Sequence, residues 1–251
     1  MMANISVIIS SYNQKHRLKH CLESAVKMKC KYADSIEIIV ADDNSTDGSI
    51  DLIKQYPVKL CLNKSACSGK YTLCENWNNA VSQSSGDRVL FTNGDHILTT
   101  WFADNHMDPV MEQDIIFGPA FQTSSHIEPY ILDESIDYKK LVQVAETRKL
   151  LHQDRRCGFQ QDSAMTYNQT FGTDYPYGYN FSVLKEHFTH VGGFDNHRAW
   201  GGEEQVLCEK IIEHFPHVKI KSNCNTVAIH MWHPPVNMLN RHTGSLDEYE
   251  F

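Results

Sequence analysis

The chain has 251 residues, and its 23 Lys+Arg against 31 Asp+Glu give a formal net charge of −8. With 41% hydrophobic, 22% charged and 10% aromatic residues it has a folding composition, which excludes a disordered or collagen-like chain. No apolar run approaches the about 18 residues of a membrane helix, the start Met1-Met2-Ala3-Asn4-Ile5 is no signal peptide, and the acidic balance argues against a nucleic-acid partner.

Ile5–Ser10 is a short β-branched run and is expected as a buried strand. Ser11-Tyr12-Asn13 breaks it, with Asn13 placed to cap a helix whose apolar face is Leu18, Cys21, Leu22, Ala25 and Val26. A second strand, Glu37–Ala41, runs into the turn and capping cluster Asp42-Asp43-Asn44-Ser45-Thr46-Asp47-Gly48, and Ile50, Leu52 and Ile53 open another helix. Val58–Leu62 is a third strand, Leu73, Trp77, Ala80 and Val81 mark a third helical face, and Arg88–Thr92 is a fourth strand ending in Asn93-Gly94-Asp95-His96. Strand and helix alternate, so a parallel sheet with crossover helices is expected. Ligands of such sheets bind at the carboxyl ends of strands, where all three polar clusters fall.

From about Gln122 to Asn180 the pattern is less regular. Lys139–Leu151 allows a short helix, and His152–Tyr179 reads as a long loop. Val206, Leu207, Ile211, Ile212 and Phe215 give a late helix, and Val218–Ile220 and Thr226–Ile229 are expected strands. Eight cysteines without a CxxC pair suit reduced core residues better than a zinc site. With no repeat and no linker-like stretch, one domain is expected.

Asp95, at a strand end and beside a glycine, can hold a divalent ion that bridges a diphosphate. His230 and His233 follow a late strand, and a carboxylate with imidazoles suits Mn²⁺. Glu203-Glu204 follow Trp200-Gly201-Gly202. The glycines permit close approach, the indole offers a face for a sugar ring, and a carboxylate there can act as a general base toward a hydroxyl. Each residue also has a plainer reading: a turn aspartate, structural histidines, and acids that complement a helix dipole. No GxGxxG or GxxxxGK[ST] loop is present, which removes the usual dinucleotide and ATP readings.

These segments resemble the GT-A glycosyltransferases, specifically the inverting family 2 and its relatives with a galactosyltransferase-like C-terminal part. Val7–Asn13 looks like the family's opening strand and nucleotide turn, and Ile38–Asp47 like its second-strand signature. Asn93-Gly94-Asp95 stands in the place of the DxD metal motif, with Asn replacing the first Asp. Val191-Gly192-Gly193-Phe194-Asp195 and Trp200-Gly201-Gly202-Glu203-Glu204 are similar to its GGFDE and WGGED elements, and Ile229–His233 to its late histidine segment.

The resemblance implies an α/β GT-A fold with a mostly parallel sheet flanked by helices and a smaller acceptor-facing part. It implies a single domain over 1–251, with a nucleotide-sugar half at 1–121 and an acceptor half at 122–251 that includes a lid-like loop at 153–179. By the match, Ser10, Tyr12 and Asp43 contact uracil and ribose, and Asn93, Gly94, Trp200 and Gly202 line the donor. Asp95 with His230, and His233 second, holds Mn²⁺ or Mg²⁺. Glu204 is the base and Glu203 binds sugar hydroxyls. The implied partners are a UDP-sugar and a glycan or other hydroxyl acceptor, and the implied location is cytoplasmic with peripheral membrane contact left open. The alternatives are a retaining enzyme similar to N-acetylgalactosaminyltransferases, a non-catalytic nucleotide-sugar-binding protein, and a nucleotidyltransferase. The last would need a basic, glycine-rich first loop, which Ser10–Gln14 is not.

Overall fold

The structure, a computed structural model, describes residues 3–63, 72–109, 112–123, 125–132, 137, 139–143, 169–171, 179–195, 202–223 and 225–233. Trp200 and most of the 153–179 loop lie outside the described residues.

Strands β1 (Ala3–Ser11), β2 (Ala33–Asp42), β3 (Lys59–Leu62) and β4 (Arg88–Asn93) are the expected first four, separated by helices α1 (Lys15–Ala25), α2 (Ser49–Ile53) and α3 (Leu73–Ser82). The described chain then adds β5 (His96–Leu98), α4 (Phe102–His106), β6 (Ile115–Phe117), β7 (Ala120–Gln122), α5 (Glu128–Leu132), β8 (Gln169–Phe171) and β9 (Asn180–Leu184). It continues through α6 (Lys185–His190), α7 (Glu203–His214), β10 (Ile220–Ser222) and β11 (Ala228–His230). The main sheet has eight described strands in the order β3-β2-β1-β4-β9-β6-β10-β8. Only β9 and β8 run against the rest, so the fold is the expected mostly parallel α/β sheet.

β1 is buried on both faces, as parallel strands usually are, and its apolar residues face both ways. Ile8 points with Val89, Phe91 and Ile39 toward α3 and α7. Ile5, Val7 and Ile9 point the other way, onto Leu18 and Leu22 of α1. On the α3 side, Trp77, Phe91, Phe181, Phe188 and Phe194 form one aromatic block, with Phe91 stacked on Phe181 at 4.8 Å and Trp77 tilted against Phe194 at 5.0 Å. Phe194 belongs to the Gly-Gly-Phe-Asp turn, which Asn78 clamps: its amide donates to the Phe194 carbonyl (2.8 Å) and its carbonyl accepts the Phe194 N–H (3.0 Å). Of the cysteines, Cys21, Cys61, Cys74 and Cys208 are buried, and the described ones form no disulfide.

Some local expectations change. Asn13 does not cap α1; its backbone is left-handed (φ 45°), and its side-chain carbonyl accepts the N–H of Thr46 at 2.8 Å. The N–H of Lys15 at the head of α1 donates instead to Asp47 at 2.8 Å, and the N–H of Asn13 donates to Ser45 at 2.9 Å. The helix start is therefore capped by the following βα loop. Val58, Val218, Lys219, Thr226 and Val227 fall outside the strands. Part of the long loop, Gln169–Phe171, is a strand on the sheet edge because β10 offers it an unpaired rim.

Candidate active site

Register brings the three polar clusters together. Ser10 pairs with Ala41 of β2 and with Asn93 of β4, and Ser11 with Asp42. The chain therefore leaves β1, β2 and β4 at one edge, carrying Ser10, Tyr12, Asp43, Asn93 and Asp95 there. The Ser10 hydroxyl donates to the side-chain carbonyl of Asn93 at 2.8 Å. At Gly94 a Cβ would sit 3.1 Å from the Ser10 carbonyl and 2.5 Å from the end of the Gln14 side chain, so glycine keeps this turn uncrowded.

Asp42 and Asp43 do different work. Asp42 is fully buried and accepts the N–H (2.7 Å) and hydroxyl (2.8 Å) of Ser45, shaping the loop. Asp43 faces the crevice edge and accepts the Asn63 amide at 2.9 Å. Burial pushes its carboxyl up to about 6, against the hydrogen bonds from Asn63 and Thr72. Between pH 4 and 6 the folded chain thus holds a proton that the unfolded chain releases, so stability falls as pH rises through that window. A shift of about 2 units costs up to about 3 kcal/mol. Asp43→Asn is expected to be more stable than the parent by about 1–3 kcal/mol at pH 7 and equal to it near pH 3. Urea unfolding at both pH values checks this, and a gap that persists in acid contradicts it.

A second, three-stranded sheet, β5-β11-β7, completes the site; of its strands the sequence pattern announces only β11, through the Thr226–Ile229 run. β11 is antiparallel to β5, with His230 opposite His96, and the N–H of Met231 donates to the Asp95 carbonyl at 2.9 Å. The ring nitrogens of His230 and His233 each lie 3.4 Å from one Asp95 carboxylate oxygen. One donor atom from each of the three residues fits within a 4.8 Å span. The other carboxylate oxygen lies 2.7 Å from Nδ1 of the buried His96. Burial opposes the charge on Asp95, but the surrounding rings of His96, His230 and His233 hold its carboxyl well below the usual range. Burial lowers His96. Its ring lies between Tyr179 (5.3 Å) and His230 (4.9 Å), near-parallel to both, which fixes the orientation of His230.

Gly202 has φ 93°, with no atom of the described residues within 4 Å of where a Cβ would stand, and Glu203 and Glu204 form the first turn of α7 behind it. α7 leads into β10, which is parallel to β6, so the helix runs back across the sheet. Its first turn therefore lies toward the edge where β1, β2 and β4 end. Glu203 is buried and Glu204 half-buried.

The model of glycosyl transferase family 2 matches residues 6–188, most of the chain, including the ends of β1, β2 and β4. The chain belongs to glycosyl transferase family 2. It is 33% identical over 95 residues to a poly(ribitol-phosphate) beta-glucosyltransferase of Bacillus spizizenii, covering 36% of this chain and 14% of that one. It is 30% identical over 119 residues to UDP-Glc:alpha-D-GlcNAc-diphosphoundecaprenol beta-1,3-glucosyltransferase WfaP of Escherichia coli, covering 47% of this chain and 45% of that one. The chain thus spans less than half the length of these curated relatives.

Solved structures share the GT-A fold at low identity. They include S. aureus TarS with UDP-GlcNAc (TM-score 0.62, 15% identity, 94% of this chain and 60% of that one) and the mannosyltransferase PcManGT of Pyrobaculum calidifontis with GDP-Man and Mn²⁺ (0.58, 17%, 97% and 60%). GalNAc-T7 with UDP, GalNAc and Mn²⁺ also matches (0.62, 14%, 92% and 44%). No helix among the described residues is long and apolar enough to cross a membrane.

Proposed function

We propose that this family 2 domain transfers a sugar from a UDP-sugar to an acceptor hydroxyl with inversion, using a divalent cation. The observation that carries the reading is the meeting of Asp95, His230 and His233 at the strand edge that also bears Ser10 and Asp43. One carboxylate and two imidazoles form a donor set that suits Mn²⁺, with Mg²⁺ second. A cation held there would supply positive charge for a leaving diphosphate.

The chain's own groups do the rest. Asp43 and Ser10 receive the uridine, and Asp43 accepts the uracil N3 proton as a carboxylate, the form it holds at pH 7. Asn93 replaces the first acid of the DxD pattern. Its carbonyl is taken by Ser10, so its amide nitrogen is the group presented to ribose or water. The Trp200-Gly201-Gly202-Glu203-Glu204 segment is read as the galactosyltransferase-like element. Glu204 removes the proton from the acceptor oxygen as that oxygen bonds to the anomeric carbon. The bond from that carbon to the diphosphate breaks on the opposite face, and its electron pair leaves with UDP. Glu203, more deeply placed, holds sugar hydroxyls. Residues 1–121 serve the donor and 122–251 the acceptor, with 153–179 as lid.

Relatives named for polyol-phosphate and lipid-linked saccharide substrates suggest a glycan or polyol hydroxyl as acceptor, and a cytoplasmic UDP-sugar pool suits the donor. The test is a nucleotide-sugar hydrolysis screen with Mn²⁺, with Mg²⁺ and with chelator. One UDP-sugar is expected to be hydrolysed slowly and only with metal; no turnover of any donor overturns the reading. The GalNAc-T7 likeness keeps a retaining outcome in view, and NMR of the product anomer separates the two.

A further inference from the structure

The placing of His230 and His233 is not what an extended strand would give. Side chains of a strand alternate between faces, so positions 230 and 233 point to opposite sides unless the chain turns between them. Yet both rings reach the same Asp95 oxygen, each at 3.4 Å, with their planes 85° apart. β11 stops at His230, and Met231 is buried in a small core with Ile97, Ile131 and Ile229. Three backbone groups in succession are held here from outside the turn. The Met231 N–H donates to the Asp95 carbonyl at 2.9 Å. The other two go to one residue, Thr123, which follows β7 and is buried. Its N–H donates to the His230 carbonyl at 3.0 Å, and its hydroxyl accepts the Trp232 N–H at 2.8 Å. A parallel ladder continued to this point would use the Thr123 carbonyl for that N–H; the hydroxyl takes its place where the strands part. The register is already set at the other end of β7 and β11, where the buried Asn180 amide donates to the carbonyls of Pro119 (2.9 Å) and Thr226 (2.7 Å).

We propose that Thr123 is a positioning residue for the cation site: it grips the chain on both sides of Met231 and so makes the turn that aims both imidazoles at one carboxylate. This role rests on the cation reading given above and adds to it a residue that supplies no ligand atom. No motif marks Thr123; the β7–β11 pairing brings it against a residue 109 positions later. Thr123 acts through its hydroxyl rather than its bulk. A valine there keeps the branched shape but leaves the Trp232 N–H without that acceptor, so the turn loses one of its grips. Serine keeps the hydroxyl and loses only the methyl. Groups that orient metal ligands from behind typically govern metal affinity by about 10–100-fold, and Thr123, which orients the backbone and not the rings themselves, belongs at the lower end of that range.

Calorimetric titration of the full chain with MnCl₂ alone tests this, beside hydrogen exchange of the Trp232 amide followed by NMR. Thr123→Val is expected to weaken Mn²⁺ binding by about tenfold and to speed exchange of the Trp232 N–H, while Thr123→Ser stays at the parent values in both. A role in packing alone gives the reverse order, since valine fills the same space and serine leaves a methyl-sized gap. Undiminished Mn²⁺ binding or unchanged Trp232 exchange in the valine variant overturns the proposal, as does equal weakening by valine and serine. Should Thr123→Val fail to fold by circular dichroism, Thr123→Ala against Thr123→Ser decides, because those two differ only in the hydroxyl. No Mn²⁺ binding by the parent overturns the cation reading and this role together. Binding by the parent that the hydroxyl-free variants leave unchanged overturns the role of Thr123 alone, so the two failures are told apart.

Discussion

Glu204→Gln is expected to lower kcat by about 10²–10⁴-fold, the usual contribution of a positioned general base, while calorimetric UDP affinity stays at the parent value. The substitution keeps shape and hydrogen-bonding capacity and removes only the ability to take a proton. Glu204 is singled out over its neighbour because it is half-buried in the first turn of α7, whereas Glu203 is 3% exposed. A base must be reached by an acceptor arriving from solvent. Glu203→Gln should therefore raise KM more than it lowers kcat. Unchanged kcat in the Glu204 variant removes it from the chemistry, and a full loss in the Glu203 variant with Glu204→Gln active would transfer the role.

Asp95→Ala is expected to weaken Mn²⁺ binding by at least about 100-fold, beyond the 10–100-fold typical of outer-shell changes, because it removes the anionic donor and leaves neutral imidazoles. Calorimetry with Mn²⁺ alone measures this without turnover, and UDP titrations with and without Mn²⁺ then show whether nucleotide affinity is tied to the same ion. Since His230 and His233 stand at equal distance from one Asp95 oxygen, His230→Ala and His233→Ala should each weaken Mn²⁺ binding. Undiminished binding in the Asp95 variant contradicts the assignment. The Asp95 variant also leaves His96 buried without its facing carboxylate, so its thermal midpoint should be followed beside Asp95→Asn.

Asp43 shows the opposite balance. A carboxylate kept in a site where burial opposes its charge weakens the fold at neutral pH, and a ligand that donates a proton to it is a reason for such a residue to stand there.

The amino-acid order by itself determined the strand-helix alternation, the covered β1 and the placing of polar clusters at the ends of β1, β2 and β4. These are consequences of local hydrophobic period, which stops where the chain leaves the core. It also marked Asp95, His230 and His233 as separate candidates. Only the tertiary structure decided that they meet. β5, β7 and β11 have three residues each, too few for a period, and their pairing of His96 with His230 joins segments far apart in the chain. The same holds for Asp47 capping a helix that precedes it and for the turn Asn78 clamps. In each case one side chain satisfies a backbone group from another element, and which element stands within reach is fixed by strand register, a property of the assembled sheets that no single stretch of sequence carries.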